Sequence, residues 1–252
     1  MSERSADPAR LYDGNAGLWR RTGPSSLSDF TGRPPVLELC GGVAGLDVLD
    51  VGCGEGYVAR EIRRRGAARV VGFDLSAQMI EQARATEAAE PLGISYHHLP
   101  ATELDGRFGA FDLAIAVFVF NYVAIADMTE IMGRVRRVLK PGGAFVFSVP
   151  HPSQHFVHDG RPPFFFEGSI GYFSGRDQRL PGQIHCRNGR VLPVQSVHKV
   201  FQDYFDGLAA AGFTSMPTVR ELTVRPEHLE IDPDFFGPVK DVPLHVAFRV
   251  TA

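Results

Sequence analysis

This sequence predicts a doubly wound α/β fold around a parallel sheet, on three observations. Short β-rich apolar runs alternate with helical patterns from residue 46 to 150. One run, FDLAIAVFVF at 111–120, is apolar almost throughout, as a strand buried on both faces reads. The first run leads directly into a glycine turn and a helix, VLDVGCGEGYVAREI at 48–62. Strands separated by helices make sequential strands parallel neighbours.

Taken in order, Asp47 to Val51 reads as the first strand and Tyr57 to Arg65 as a helix stopped by Gly66. RVVGF at 69–73 is the second strand. Ser76 is placed to cap a helix running to about Ala88, with Met79, Ile80 and Ala83 facing inward. Ile94 to Leu99 is a third, weaker strand, and the 111–120 run is the fourth. Asp127 with Glu130 resembles a capping box, and Ile131, Val135 and Val138 carry helical spacing. LKPGG at 139–143 ends that helix before a fifth strand over Ala144 to Val149. Residues 150–197 are rich in His, aromatic residues, Pro and Gly and show little periodicity, which predicts an irregular lid. Helical spacing returns at Phe201, Phe205 and Leu208, and a strand over Leu244 to Val250 follows. Ahead of the core, short helices are expected around Leu11–Trp19 and Val36–Leu39. The organisation expected is thus a helical cap (1–45), a core (46–149), a lid insert (150–197) and a segment that completes the core (198–252).

Composition narrows the function. A formal net charge of −3 and a pI near 6.3 provide no basic field for nucleic acid. The first residues lack the apolar stretch of a secretory signal, and no run reaches the roughly 18 apolar residues of a membrane span. Cys40, Cys53 and Cys186 have no metal-binding spacing, so a reducing cytoplasmic setting is expected. The expected partner is a small molecule, with neither nucleic acid nor membrane involved, and the expected state is a monomer or homodimer.

The glycine turn narrows the cofactor. A dinucleotide fingerprint needs Gly or Ala three residues after its second glycine, where this chain has Tyr57. The GxxxxGK[ST] phosphate loop has no match. The turn is instead D-V-G-C-G-E-G, with Asp50 two residues ahead of Gly52. Asp74 ends the second strand, where a carboxylate can accept hydrogen bonds from paired ribose hydroxyls. With the run DLSAQMIEQAR, the aromatic-rich fourth strand and LKPGG, this turn resembles motif I of the class I S-adenosylmethionine (SAM)-dependent methyltransferases, in particular their small-molecule branch. The resemblance covers about residues 46–149, and more loosely FQDYFDGLAAAGF and the terminal strand. It implies a Rossmann-like seven-stranded sheet, mostly parallel with an antiparallel C-terminal strand. It also implies SAM as cofactor and S-adenosylhomocysteine as product. By the same resemblance, Gly52, Cys53, Gly54 and Gly56 line the methionine moiety and ribose, and Asp50 orients the amino group. Asp74 binds the ribose, with Leu75 and Met79 beside the adenosine, and Val117 is a further cofactor-binding residue. Ala101 and Thr102 meet the adenine edge, where Pro100 replaces the family's usual acid, and Tyr12 closes over the methionine carboxylate.

The acceptor side is less marked. His151 follows the fifth strand at the sheet edge where ligands of open α/β sheets bind, and an imidazole there suits a general base. His155 is a second candidate, and Asn121 follows the fourth strand near the expected donor methyl. His151, His155, His158 and Asp159 have the spacing of metal ligands on a helix, but Pro152 and the neighbouring aromatics indicate a loop, so no metal is expected. Phe164–Phe166 with Tyr172 and Phe173 suggests an apolar lid over an aromatic or hydrophobic molecule. The reading is therefore methyl transfer to a small molecule; cyclisation or decarboxylation on the same SAM fold is the alternative.

Overall fold

The computed structural model describes residues 23–157 and 163–252, so Tyr12, the Leu11–Trp19 stretch, His158 and Asp159 lie outside the described residues. The strands are β1 (Asp47–Val51), β2 (Arg69–Asp74), β3 (Ser95–His98), β4 (Phe111–Val117), β5 (Leu139–Pro150), β6 (Phe164–Phe166), β7 (Arg179–His185), β8 (Val191–Val197), β9 (Thr218–Leu222) and β10 (His245–Thr251). Seven of them form one sheet in the order β3-β2-β1-β4-β5-β10-β9. Pairing is parallel from β3 through to β5, while β10 runs antiparallel to both β5 and β9. Chain order reverses between β1 and β4, which opens a crevice beyond their carboxyl ends.

Alternation along the central strands divides the core between the two faces. Leu49, Val51 and Phe73 pack with Met128, Ile131 and Val135 of the helix Ile125–Val138. Val48, Val70 and Ile115 point the other way, against Val58 and Ile62 of the helix Tyr57–Arg64 and Ile80 of the helix Ala77–Ala89. Ser76 caps this last helix as its sequence suggests, its hydroxyl accepting the Met79 N–H at 3.2 Å. Burying two strand faces between helix layers is what a nearly unbroken apolar run such as β4 requires.

The structure departs from the sequence reading in three places. Asp127 does not cap its helix: the helix begins earlier, at Ile125, whose N–H donates to the Asp177 carboxylate at 2.8 Å. A residue 52 positions away supplies the cap, which local spacing does not reveal. LKPGG does not precede β5 but lies within it, with a register shift against β4 between Phe111 and Leu113. The 150–197 segment is also not irregular throughout, because β6, β7 and β8 form a three-stranded antiparallel sheet. Pro181, Gly182 and Pro193 lie inside those strands and break up the alternation by which strands are recognised. Near the chain start, two short helices, Leu27–Thr31 and Arg33–Leu39, precede β1.

Candidate active site

A cavity of about 390 Å³ opens at the crevice between β1 and β4. Its floor is the glycine turn. Gly52, Gly54 and Gly56 take φ of 68°, 56° and 90°, the left-handed region that a side chain makes costly. A Cβ on Gly52 would stand 2.5 Å from Val119 Cγ2, whereas one on Gly54 would meet nothing within 4 Å. The turn is tied to β2 by Asp74, whose two carboxylate oxygens accept the N–H groups of Gly54 and Ser76, each at 2.8 Å.

Asp50 lies beneath the turn at 2% exposure, and its Oδ2 is buried without a hydrogen-bond partner. Burial pushes its carboxyl up to about 8, and the nearby Asp74 charge adds to the shift. The same two causes raise the Cys53 thiol well above its usual range, burial first and the Asp50 and Asp74 charges next. On one side Leu75, Met79, Leu99, Ala101, Thr102 and Val117 line the cavity with mostly apolar surface. The far wall comes from Phe118 and from the second sheet, through Phe164, Phe166, Ile184, Val194 and Gln195.

Of the candidate cofactor residues, Asp50, Gly52, Cys53, Gly54, Asp74, Leu75, Met79, Ala101, Thr102 and Val117 therefore converge on one cavity. Gly56 is not on its wall: a Cβ there would stand 2.5 Å from Tyr96 Oη, so this glycine makes room for tyrosine packing.

The three acceptor-side candidates divide. Asn121 lines the cavity, with its side-chain Oδ1 buried and unpartnered and its backbone carbonyl accepting the Val197 N–H at 2.7 Å. His151 does not line it. The Ser153 N–H donates to its Nδ1 at 3.2 Å and the Ser153 hydroxyl lies 2.7 Å from the same atom, so Nε2 carries the proton toward Glu221 Oε1 at 2.7 Å. Both ring nitrogens are committed, which argues against the general-base assignment. His155 does not line the cavity either: it packs on Phe166 at 4.2 Å between ring centroids, and burial pulls it down to about 4. The pleat accounts for His151. Pro150 lines the cavity, and successive strand residues point to opposite faces. His245 of β10 pairs with Pro150, shares its face and lines the cavity, a placement that no sequence motif marks.

Charge discriminates among nucleotide cofactors. The lining side chains include Asp50, Glu55, Asp74, Glu103, Asp127 and Glu130, while Arg33 is its one Lys or Arg among the described residues. Arg33 already bonds Asp29 Oδ1 at 3.0 Å and Ser28 Oγ at 2.7 Å. Such a lining repels a polyphosphate and suits a ligand bearing an ammonium and a sulfonium. Residues 48–143 match the family described as methyltransferase domain. The core is a class I methyltransferase domain.

Similarity to individual proteins agrees with this. A crystal structure of an S-adenosylmethionine-dependent methyltransferase from Mesorhizobium loti superposes with a TM-score of 0.66 at 25% identity, covering 87% of this chain and 96% of that one. N-demethylindolmycin N-methyltransferase of Streptomyces griseus is 29% identical over 198 residues, 74% of this chain and 73% of its own. Ubiquinone biosynthesis O-methyltransferase of Sodalis glossinidius is 34% identical over 114 residues, 45% of each chain. The chain spans about half the length of several curated relatives it matches. Methyltransferase domains of this class use SAM, and the site fits that cofactor. The orphaned Asp50 oxygen suits an ammonium, Asp74 places a carboxylate on the cavity wall, and the open space above Gly54 admits close backbone approach.

Proposed function

We propose that this protein is a SAM-dependent methyltransferase whose acceptor is a small, hydrophobic or aromatic molecule methylated at O, N or C. One observation carries the reading: a single cavity runs from the acidic glycine turn to the aromatic wall of the second sheet. Asp50 holds the amino group, Asp74 the ribose hydroxyls, and Leu75, Met79 and Val117 flank the adenosine. Ala101 and Thr102 lie at the adenine edge. SAM supplies an activated methyl group, so the chain need only align donor and acceptor and keep water out, effects worth up to roughly 7–11 kcal/mol. Phe118, Phe164 and Phe166 provide the dry wall for this, and Asn121 provides a polar contact beside it.

Calorimetric titration with S-adenosylhomocysteine and, separately, NADH tests the cofactor. Binding of S-adenosylhomocysteine alone is expected, and binding of NADH alone would overturn the proposal. Transfer of label from methyl-labelled SAM to a small-molecule extract then tests the chemistry. Cofactor binding with no transfer to any fraction would point to other chemistry on the same fold.

A further inference from the structure

The cofactor residues leave the opposite side of the cavity unexplained. The lining that the second sheet and β10 contribute there is apolar except at Gln195 and His245. His245 opens β10 at 4% exposure, with its ring edge-on to Phe118 at 5.0 Å between centroids. Both of its ring nitrogens are buried without a partner. Gln195 of β8 leaves its Nε2 buried and unpartnered, and Asn121, in the turn after β4, leaves its Oδ1 so. A buried polar group with no partner costs about 1–3 kcal/mol, and such groups are few in folded proteins. Three of them, from three separate elements, line one cavity.

Their chemistry defines a complement. Burial first, then the Arg33 charge, pulls His245 down to about 3, so its imidazole is neutral, with one N–H donor and one lone pair. Gln195 Nε2 offers a donor and Asn121 Oδ1 an acceptor. The Phe118, Phe164 and Phe166 rings form flat apolar surfaces around them. A cation placed among Phe164, Phe166, Val194 and His245 would have no carboxylate among those neighbours, and an anion would find Arg33 already held by Asp29.

Building on the methyltransferase reading, we propose that His245, Asn121 and Gln195 form the recognition set for the methyl acceptor. The acceptor they select is an uncharged, planar, largely apolar molecule bearing at least one hydrogen-bond donor and one acceptor. His245 acts as a neutral reader that orients this molecule, not as a base. A site built of unpaired polar groups rejects an analogue that lacks the matching groups, because they then stay buried and unpaired.

Bicyclic probes of one shape test this on protein saturated with S-adenosylhomocysteine: 4-hydroxyquinoline (donor and acceptor), naphthalene (neither) and quinoline-4-carboxylate (anionic). The expected result is that 4-hydroxyquinoline binds at least tenfold tighter than naphthalene and that the carboxylate shows no binding. His245→Phe should bring that ratio to within threefold, Gln195→Met should lower it, and His245→Gln should keep part of it. Each variant should hold S-adenosylhomocysteine within threefold of the unmodified protein, which also reports that it is folded. Equal binding of 4-hydroxyquinoline and naphthalene, or a ratio that survives both His245→Phe and Gln195→Met, overturns the inference. If S-adenosylhomocysteine binds and the ratio is one, the acceptor assignment alone falls. If it does not bind, the cofactor reading falls and takes this inference with it.

Discussion

Alanine at Gly52 and alanine at Gly54 should damage the protein in different ways. Both positions have positive φ, 68° and 56°, so a side chain at either adds left-handed strain of about 1–2 kcal/mol. At Gly54 the new Cβ meets nothing within 4 Å, so strain is the whole cost, a fall of about 2–8 °C in Tm for a chain of this size. At Gly52 the Cβ would stand 2.5 Å from Val119 Cγ2, which adds an overpacking cost of about 1–3 kcal/mol. The other near atoms at Gly52 are also in the Val119 side chain, at 3.6 Å, so Val119→Ala should remove the clash. Urea unfolding of the two single variants and of Gly52→Ala/Val119→Ala measures this as a double-mutant cycle, with an expected coupling of about 1–3 kcal/mol. Calorimetry should show the reverse order for the ligand: Gly54→Ala, with a methyl group in the cavity, loses at least tenfold in S-adenosylhomocysteine affinity. Equal stability of the two single variants, or a coupling below about 0.5 kcal/mol, would refute the packing argument.

Three further outcomes follow from buried ionisable groups. The Asp50 carboxyl, raised to about 8 from an ordinary value near 3.8, binds protons more readily folded than unfolded. Stability of the ligand-free protein should therefore fall as pH rises from about 4 to 8, by up to about 5 kcal/mol, and Asp50→Asn should flatten that slope in pH-dependent thermal unfolding. Lys199 is the opposite case. Its ammonium donates to the carbonyls of Phe120, Val123 and Val197 at 2.8, 2.6 and 3.3 Å, and burial lowers it to about 7 from 10.5. Stability should rise by up to about 2 kcal/mol between pH 7 and 9, and Lys199→Met should lose that rise in the same measurement. Finally, His151→Phe should cost about 0.5–1.5 kcal/mol in urea unfolding, because Ser153 loses a partner while the exposed Glu221 turns to water. It should leave S-adenosylhomocysteine affinity within threefold; a tenfold loss would return His151 to the site.

Much of the core was legible in the residues because the signals involved are local. A strand shows its alternation or its apolar run within a few positions, as Asp47–Val51 does, and a cap such as Ser76 acts three residues along. The glycine turn and Asp74 were legible because backbone conformation and one carboxylate at a strand end decide them. The second sheet was not: Pro181, Gly182 and Pro193 hide its strands, which are held by pairing across the insert and not by their own pattern. The start of the helix at Ile125 is hidden for the same reason, since its cap, Asp177, comes from that insert.

The histidines mark the boundary most sharply. By itself the sequence determined a SAM-type glycine turn on a parallel core, since strand periodicity, turn glycines and strand-end acids are properties of short segments. Which histidine reaches the cavity was decided only when β10 paired with β5. That register sets His245 opposite Pro150 on the cavity face, while the pleat turns His151, one residue on, toward Ser153 and Glu221. Residues 95 positions apart in the chain, Pro150 and His245, were brought onto one wall by a strand pairing, and no stretch of sequence contains that information.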